Sequence, residues 1–561
     1  MIGLKRLFIT LTVLTGLVYS QQSELLLRAE EFSYKSVGGK ANPGWNIWSN
    51  GFISESFDFP EGGKYNFTIK ARGDKAIDTW PAMKVTINDA EIFSSPVDSS
   101  EFKDFQFTSV IEKGYCRIKI YFINDYHDKG KKEDRNLHAG QLKIEPAGSG
   151  LLPRVLSGAE IEKIQADRKE KLIRKSRDET EIIRKGVLEI TVIDKEGRLI
   201  KNAVVKVDQS KHEFWFGTSV STFRLSKHDK AVRDRYLGLL KDNFNSAVHE
   251  NALKWHSTEK EEGKISYKDV DTILSWCEEN NISMRGHCIF WEVEKVVQPW
   301  VKNLGREELK QAIIRRATGL TERYRGRISE YDVNNEMMHG SFYKDRLGEE
   351  IWKVMFDTAK KGDPDAVLYV NDYDIMTNGF MEEEYVKHIR HLTDMGASVG
   401  GIGIQGHFNT AVDAFQVERA LNILSKLNLP IKITEFDIDV EDEQVKAEGL
   451  EVLYRICFAH PEVKGILMWG FWEGAHWRPR AALFKKDFSP TLSAKMYRKL
   501  VFDEWWTKAA GKTDQNGKYS CRAFYGDHQI TVTLPDGKTI VREVTMSSKE
   551  KNKNLRFTID N

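Results

Sequence analysis

The stretch I-K-I-T-E-F-D (431–437) decides the fold. A short apolar run of this kind reads as a strand buried on both faces, as in a parallel sheet. It carries Glu435 near its C-terminal end and Asp437 two residues later. A carboxylate in such a place is costly unless it has a partner or a task. A helix cap or an ion pair would explain one such acid as well as chemistry would, so its meaning depends on the rest of the chain.

Working outward, seven similar runs alternate with amphipathic helical stretches. They are F-W-F-G-T-S-V (214–220), N-S-A-V-H-E (245–250), S-M-R-G-H-C-I-F-W (283–291), I-S-E-Y-D-V-N-N-E (328–336), V-L-Y-V-N-D-Y (367–373), G-I-G-I-Q-G-H-F (401–408) and G-I-L-M-W-G-F-W (465–472). Eight βα repeats predict an α/β protein built on a (β/α)8 TIM barrel. A doubly wound open sheet is disfavoured, because no Gly-rich phosphate loop follows the first strand. Polar and aromatic residues collect at the C-terminal strand ends, the face where barrel active sites lie. Two acids stand out there, Glu336 and Glu435. A protonated carboxyl and an ionised one facing a single cavity are the minimum equipment for glycoside hydrolysis, and repulsion between them helps to keep one protonated. Metal binding ranks lower, since no H-E-x-x-H or compact Asp/His spacing is present.

The 561 residues predict several domains. Residues 1–20 read as a secretory signal peptide, with Lys5 and Arg6 before an apolar run too short for a membrane span. Residues 24–147 read as short strands between turns, a β-sandwich. Residues 148–185 form a charged linker with a helix whose Ile161, Ile164, Ile173, Ile182 and Ile183 would face the next domain. The barrel, 186–506, opens with a β-hairpin (187–194 and 203–207). Residues 507–561 read as a small β-meander with a structural role, packed on the barrel and the hairpin. A net charge of +1 excludes a global case for nucleic acid or an anionic membrane as partner. The five cysteines are dispersed and read as free thiols. A secreted, extracellular monomer is expected.

The loop N-D-Y-H-D-K-G-K-K-E-D-R-N-L (124–137) gathers oxygen ligands of the type calcium takes. A solvated charged loop is the other reading.

The motifs E-N-A-L-K-W (250–255), R-G-H-C-I-F-W (285–291), Y-D-V-N-N-E (331–336), G-I-G-I-Q-G-H-F (401–408), I-T-E-F-D (433–437) and M-W-G-F-W (468–472) occur in this order. Through them, residues 210–506 resemble glycoside hydrolase family 10, the endo-β-1,4-xylanases. The resemblance implies that Glu336 is the general acid/base and Glu435 the nucleophile of a retaining hydrolase acting on internal bonds of xylan. It implies that Asn335 bonds the sugar 2-hydroxyl, that His407 bonds Glu435 and keeps it ionised, and that Asp437 supports His407 or its neighbours. His287, Trp291, Gln405, Trp469 and Trp477 would wall the subsite of the cleaved sugar. Glu250, Asn251 and Lys254 would form the next subsite, and Tyr373 a platform on the leaving-group side. No cofactor is implied for catalysis. Tyr331, Asn334 and Phe436 depart from the family pattern at strand-packing positions. Mixed-linkage glucan, cellulose and aryl glycosides are the alternative substrates, and a non-catalytic polysaccharide-binding protein is the alternative class. Through L-R-A-E-E-F (27–32), W-P-A-M-K-V (80–85) and 122–137, the N-terminal region resembles calcium-dependent xylan-binding modules of carbohydrate-binding families 36 and 60. That resemblance implies calcium held by Asp125, Asp134 and Asp78, with a main-chain carbonyl near Trp80.

Overall fold

The computed structural model describes residues 23–128, 130–222, 229–377 and 381–559. The expected signal peptide lies outside the described residues. Among them, no helix is long and apolar enough to cross a membrane.

The N-terminal unit is a sandwich of two antiparallel sheets. One centres on the long strands Gly63–Asp74 and Glu133–Pro146, the other on Gly51–Phe59 and Gly114–Phe122. Alternating apolar residues of both, among them Ile53, Phe57, Phe67, Ile69, Ile118 and Leu142, bury a single core.

The chain divides into its two compact units within the helix Gly158–Ile183. The expected helix is present, but a different stripe is buried: Leu172, Ser176 and Thr180. Of the isoleucines expected on that face none is fully buried, and Ile182 is exposed. Leu172 joins the barrel core, and of the expected isoleucines Ile173 packs against it, partly buried. Bulk alone did not reveal that face.

The second unit holds the barrel. Its eight parallel strands are Trp215–Val220, Ser246–His249, Ser283–Gly286, Glu330–Asn335, Val367–Asp372, Gly401–Ile404, Ile431–Ile438 and Val463–Met468. Each pairs with the next, and the eighth returns to the first, closing the sheet. The third and sixth strands are interrupted and resume as Phe290–Trp291 and His407–Phe408. The register slips between Asp332 and Asn334 on the fourth strand and between Ile433 and Phe436 on the seventh. Irregularities of this kind re-aim side chains at barrel rims, and here they fall beside the two acids. Inside the barrel, Arg285 bonds Glu330 (2.6 Å) and Asp332, and Lys432 bonds Glu330 (2.6 Å). Two buried cations are thus matched by two buried anions, which is the condition for tolerating charge in a core.

The expected hairpin does not form. Lys185–Asp194 pairs with Lys518–Phe524 and Lys553–Ile559, whereas Val204–His212 pairs with Lys508–Lys512 and Gly526–Thr533. The C-terminal segment is accordingly no meander: its strands are shared between two sheets, and only Gly526–Thr533 and Thr539–Met546 form a hairpin. The reason is burial. Leu188, Ile190 and Val192 on one sheet face Val205, Val207, Ile530 and Val532 on the other, so each strand needs partners from beyond the barrel. The sandwich thereby ties the chain before the barrel to the chain after it. Ile530→Ala removes a fully buried side chain from this core and is expected to cost about 2–5 kcal/mol. An unchanged thermal unfolding profile of the full chain would show that the sandwich contributes nothing to stability.

Candidate active site

Glu336 follows the fourth strand and Glu435 lies near the end of the seventh. Glu336 adopts φ +59°, a left-handed conformation that a non-glycine residue holds only at a cost. Its N–H donates to Asn371 O (2.9 Å) and its carbonyl accepts from Gly340 N (2.9 Å), so the turn is fixed on both sides. Its carboxylate accepts from Trp291 Nε1 (2.9 Å), Asn335 Nδ2 (3.2 Å) and Gln405 Nε2 (3.3 Å). Burial pushes the Glu336 carboxyl above its ordinary range. The Trp291 bond opposes this and the Glu435 charge adds to it. Burial, more than the repulsion expected from sequence, therefore favours the protonated acid.

Glu435 Oε1 accepts from Asn371 Nδ2 (2.8 Å), and Oε2 pairs with His407 Nε2 (3.3 Å). Asn371 Nδ2 also donates to Asn335 Oδ1 (2.9 Å), while Thr434 Oγ1 donates to Asn371 Oδ1 (2.6 Å). The two acids are therefore joined through Asn335 and Asn371. His407 Nδ1 lies 3.0 Å from Asp437 Oδ2. Burial disfavours the imidazolium, but the bonds to Asp437 and Glu435 outweigh it and push His407 up to about 9. Asp437 is held in turn by Trp477 Nε1 (2.7 Å) and Arg478 Nη1 (3.2 Å).

His287 Nδ1 lies 3.0 Å from Asp332 Oδ2 and 4.0 Å from Glu435 Oε1, with its ring edge-on to Trp469. Lys254 Nζ donates to Asn251 Oδ1 (2.9 Å) and sits over the Trp291 ring. Glu250 is half-buried at the end of the second strand, with its N–H on Val220 O. Tyr373 stacks on His339 at 3.6 Å, and His339 Nδ1 pairs with Asp372 (2.6 Å). Trp291, Gln405, Glu336, Asn335, Glu435, His407, Asp437 and Trp477 are thus linked through Asn371 in one chain of contacts, while Glu250 and Tyr373 stand at other strand ends. Trp472, also near a strand end, packs instead on Phe488. Sequence reasoning did not single out Asp332, Arg478 or His339, and it gave Asn371 no role. Asn371 carried a legible signal, a polar side chain at a strand end.

In the N-terminal unit, Asp125 Oδ1 and Asn136 Oδ1 are buried without a hydrogen-bond partner among the described residues. Burial and the nearby Asp134 charge raise the Asp125 carboxyl. Asp134 accepts from Asn136 Nδ2 (3.0 Å) and contacts His127 Nδ1 (3.1 Å). Two buried oxygen acceptors left without a donor among the described residues, Asp125 Oδ1 and Asn136 Oδ1, suit a hard cation. Asp78 does not join them. It sits in a turn at φ +52°, fully exposed and paired with Lys75 (3.0 Å). Among the described residues, no three His, Cys, Asp or Glu side chains cluster as metal ligands. Any cation here would therefore draw on Asn136 and main-chain oxygens as well.

Residues 206–500, just over half of the chain, match the family model of glycosyl hydrolase family 10. The chain belongs to that family. Residues 66–151 match the model of the Ca-dependent, xylan-binding carbohydrate-binding module family 60. Among similar proteins, an anti-sigma-I factor, RsgI6 of Acetivibrio thermocellus, is 41% identical over 63% of this chain and 45% of its own length. Endo-1,4-beta-xylanase 3 of Arabidopsis thaliana is 42% identical over 61% of this chain and 45% of its own length. The chain thus spans less than half the length of either relative. Xylanase 10B of Thermotoga petrophila, solved with xylobiose, aligns at a TM-score of 0.48 with 26% identity, covering 52% of this chain and 95% of that one.

Proposed function

We propose that the protein is a secreted, retaining endo-β-1,4-xylanase whose N-terminal module holds xylan through calcium. The observation that carries the catalytic part is the pair Glu336 and Glu435, linked through Asn335 and Asn371, with Glu336 held toward its protonated form. Glu435 attacks the anomeric carbon while Glu336 protonates the leaving oxygen. Glu336, now ionised, then takes a proton from the water that releases the glycosyl-enzyme, and it ends protonated as it began. Trp291 and Gln405 aim its carboxyl. Asn335, with its Oδ1 anchored by Asn371, keeps Nδ2 near the reacting sugar, and His407 with Asp437 fixes the Glu435 carboxylate. His287, Trp469, Trp477 and the Glu250, Asn251, Lys254 group line the glycone side, while Tyr373 offers its ring to the leaving group.

In the module, Asp125, Asp134 and Asn136 would hold calcium, which supplies a positive centre for sugar hydroxyls. A panel of polysaccharides tests the reading. Hydrolysis of xylan to short β-xylo-oligosaccharides, with mixed-linkage glucan and cellulose left largely uncut, is expected. Cleavage of a glucan in preference to xylan would replace the substrate while keeping the chemistry. On the same protein, a chelator or Asp125→Ala should abolish retention on insoluble xylan and leave hydrolysis of xylotetraose intact. Retention that survives both would remove calcium from the account.

A further inference from the structure

Glu292 lies just past the resumed third strand, next to Trp291, and takes no part in the chemistry above. It is fully buried, and its four side-chain partners are uncharged donors. Oε1 accepts from the backbone N–H groups of Tyr343 (3.1 Å) and Lys344 (3.0 Å), and Oε2 from the Asn334 amide and Trp352 Nε1 (3.3 Å). A buried carboxylate is tolerated only when its lone pairs are filled in this way. The Asn334 amide is given over to this contact: its Nδ2 donates to Glu292 while its Oδ1 is buried without a partner among the described residues. That accounts for one of the positions where the chain departs from the family pattern.

The main chain of Glu292 closes the same structure. Its N–H donates to Asn335 O (3.0 Å) and its carbonyl accepts from Phe342 N (3.0 Å). Gly340 lies against it so closely that a Cβ there would meet Glu292 C at 2.6 Å. The segment running from Glu336 to Phe342 is therefore fastened at its far end by Glu292. At its near end Asp372 accepts from Met338 N (2.7 Å). Between these anchors Glu336 holds its left-handed backbone.

We propose that Glu292, gripped by Asn334 and Trp352, is a positioning residue for Glu336: it clamps the segment 337–344 so that the Glu336 carboxyl stays against Trp291 and Gln405. The inference rests on the reading of Glu336 as acid/base. It predicts a defect confined to steps that need a well-placed acid. The test is kcat/KM, which reports the steps up to the glycosyl-enzyme, measured with the full chain on two substrates. One is xylotetraose, whose leaving group needs protonation; the other is 2,4-dinitrophenyl β-xylobioside, whose leaving group does not. Glu292→Gln replaces one acceptor with a donor facing other donors. Gly340→Ala leaves the carboxylate in place and pushes the segment away from it. Each is expected to lower kcat/KM on xylotetraose about 100-fold, the scale of a misplacement near 1 Å, and to leave the dinitrophenyl substrate nearly unchanged. Equal losses on both substrates, or none in either folded variant, would overturn the clamp. Should Glu292→Gln fail to fold, Gly340→Ala decides alone. A parent protein inactive on both substrates would instead sink the acid/base reading itself.

Discussion

Glu435→Ala should lower kcat on xylan by about five orders of magnitude or more, the scale seen when a covalent nucleophile is deleted from a catalytic unit. The loss should be common to xylan, xylotetraose and the dinitrophenyl xylobioside, because each reaction begins with the same attack on the anomeric carbon. Asn371 and His407 would lose the carboxylate that both now contact, so neighbouring groups have no equivalent oxygen to put in its place. Retention on insoluble xylan should persist, since the N-terminal unit is untouched. Hydrolysis that continued in this variant would revive the view of the chain as a polysaccharide-binding protein with an activity from elsewhere.

Glu336→Ala should show a different pattern. On xylan kcat/KM should drop by about 10²–10⁴-fold, the range for loss of a general acid. With the dinitrophenyl substrate the first step survives, the glycosyl-enzyme accumulates for want of a base, and azide should restore turnover by attacking it directly. The pH profile of the parent protein follows from the same group. Glu336 must be protonated to donate, and burial raises its pKa above the ordinary carboxylate range. Its protonated fraction, and activity on xylan with it, should therefore fall as pH rises through that raised value. In Glu336→Ala this alkaline limb should disappear. A limb that stayed in place would assign the acid to another residue.

The barrel was legible because eight short strand-like runs alternate with amphipathic helical stretches and most end in polar residues, a pattern few other architectures produce. Glu336, Glu435, Asn335 and Gln405 were legible for the same reason: they stand where such strands end. What escaped reading depends on contacts between residues distant in sequence. That residues 507–561 would lie against the 187–207 segment was expected, but no local spacing announces the pairing itself, in which Val204–His212 finds Gly526–Thr533 from the far side of the barrel sequence. Asp332 is a strand residue like its neighbours until the fold sets His287 3.0 Å from it. Glu292 drew no reading from the sequence, because its four donors come from residues 334–352. The linker helix misled for a local reason, since two of its three buried residues, Ser176 and Thr180, are polar and carry no hydrophobic signal. Asp78 misled because a turn with positive φ throws its side chain outward.

As the nucleophile, Glu435 is expected to form a covalent bond to the sugar. Incubation of the full chain with 2,4-dinitrophenyl 2-deoxy-2-fluoro-β-xylobioside slows both chemical steps, and the activated leaving group still lets the intermediate form and accumulate. Mass spectrometry of the intact protein and its peptides then reads the product. One fluoro-xylobiosyl unit per chain, on the peptide containing Glu435, is the predicted result. An active parent protein that gains no such mass, or that carries it on a different residue, would rule out Glu435 as the covalent nucleophile.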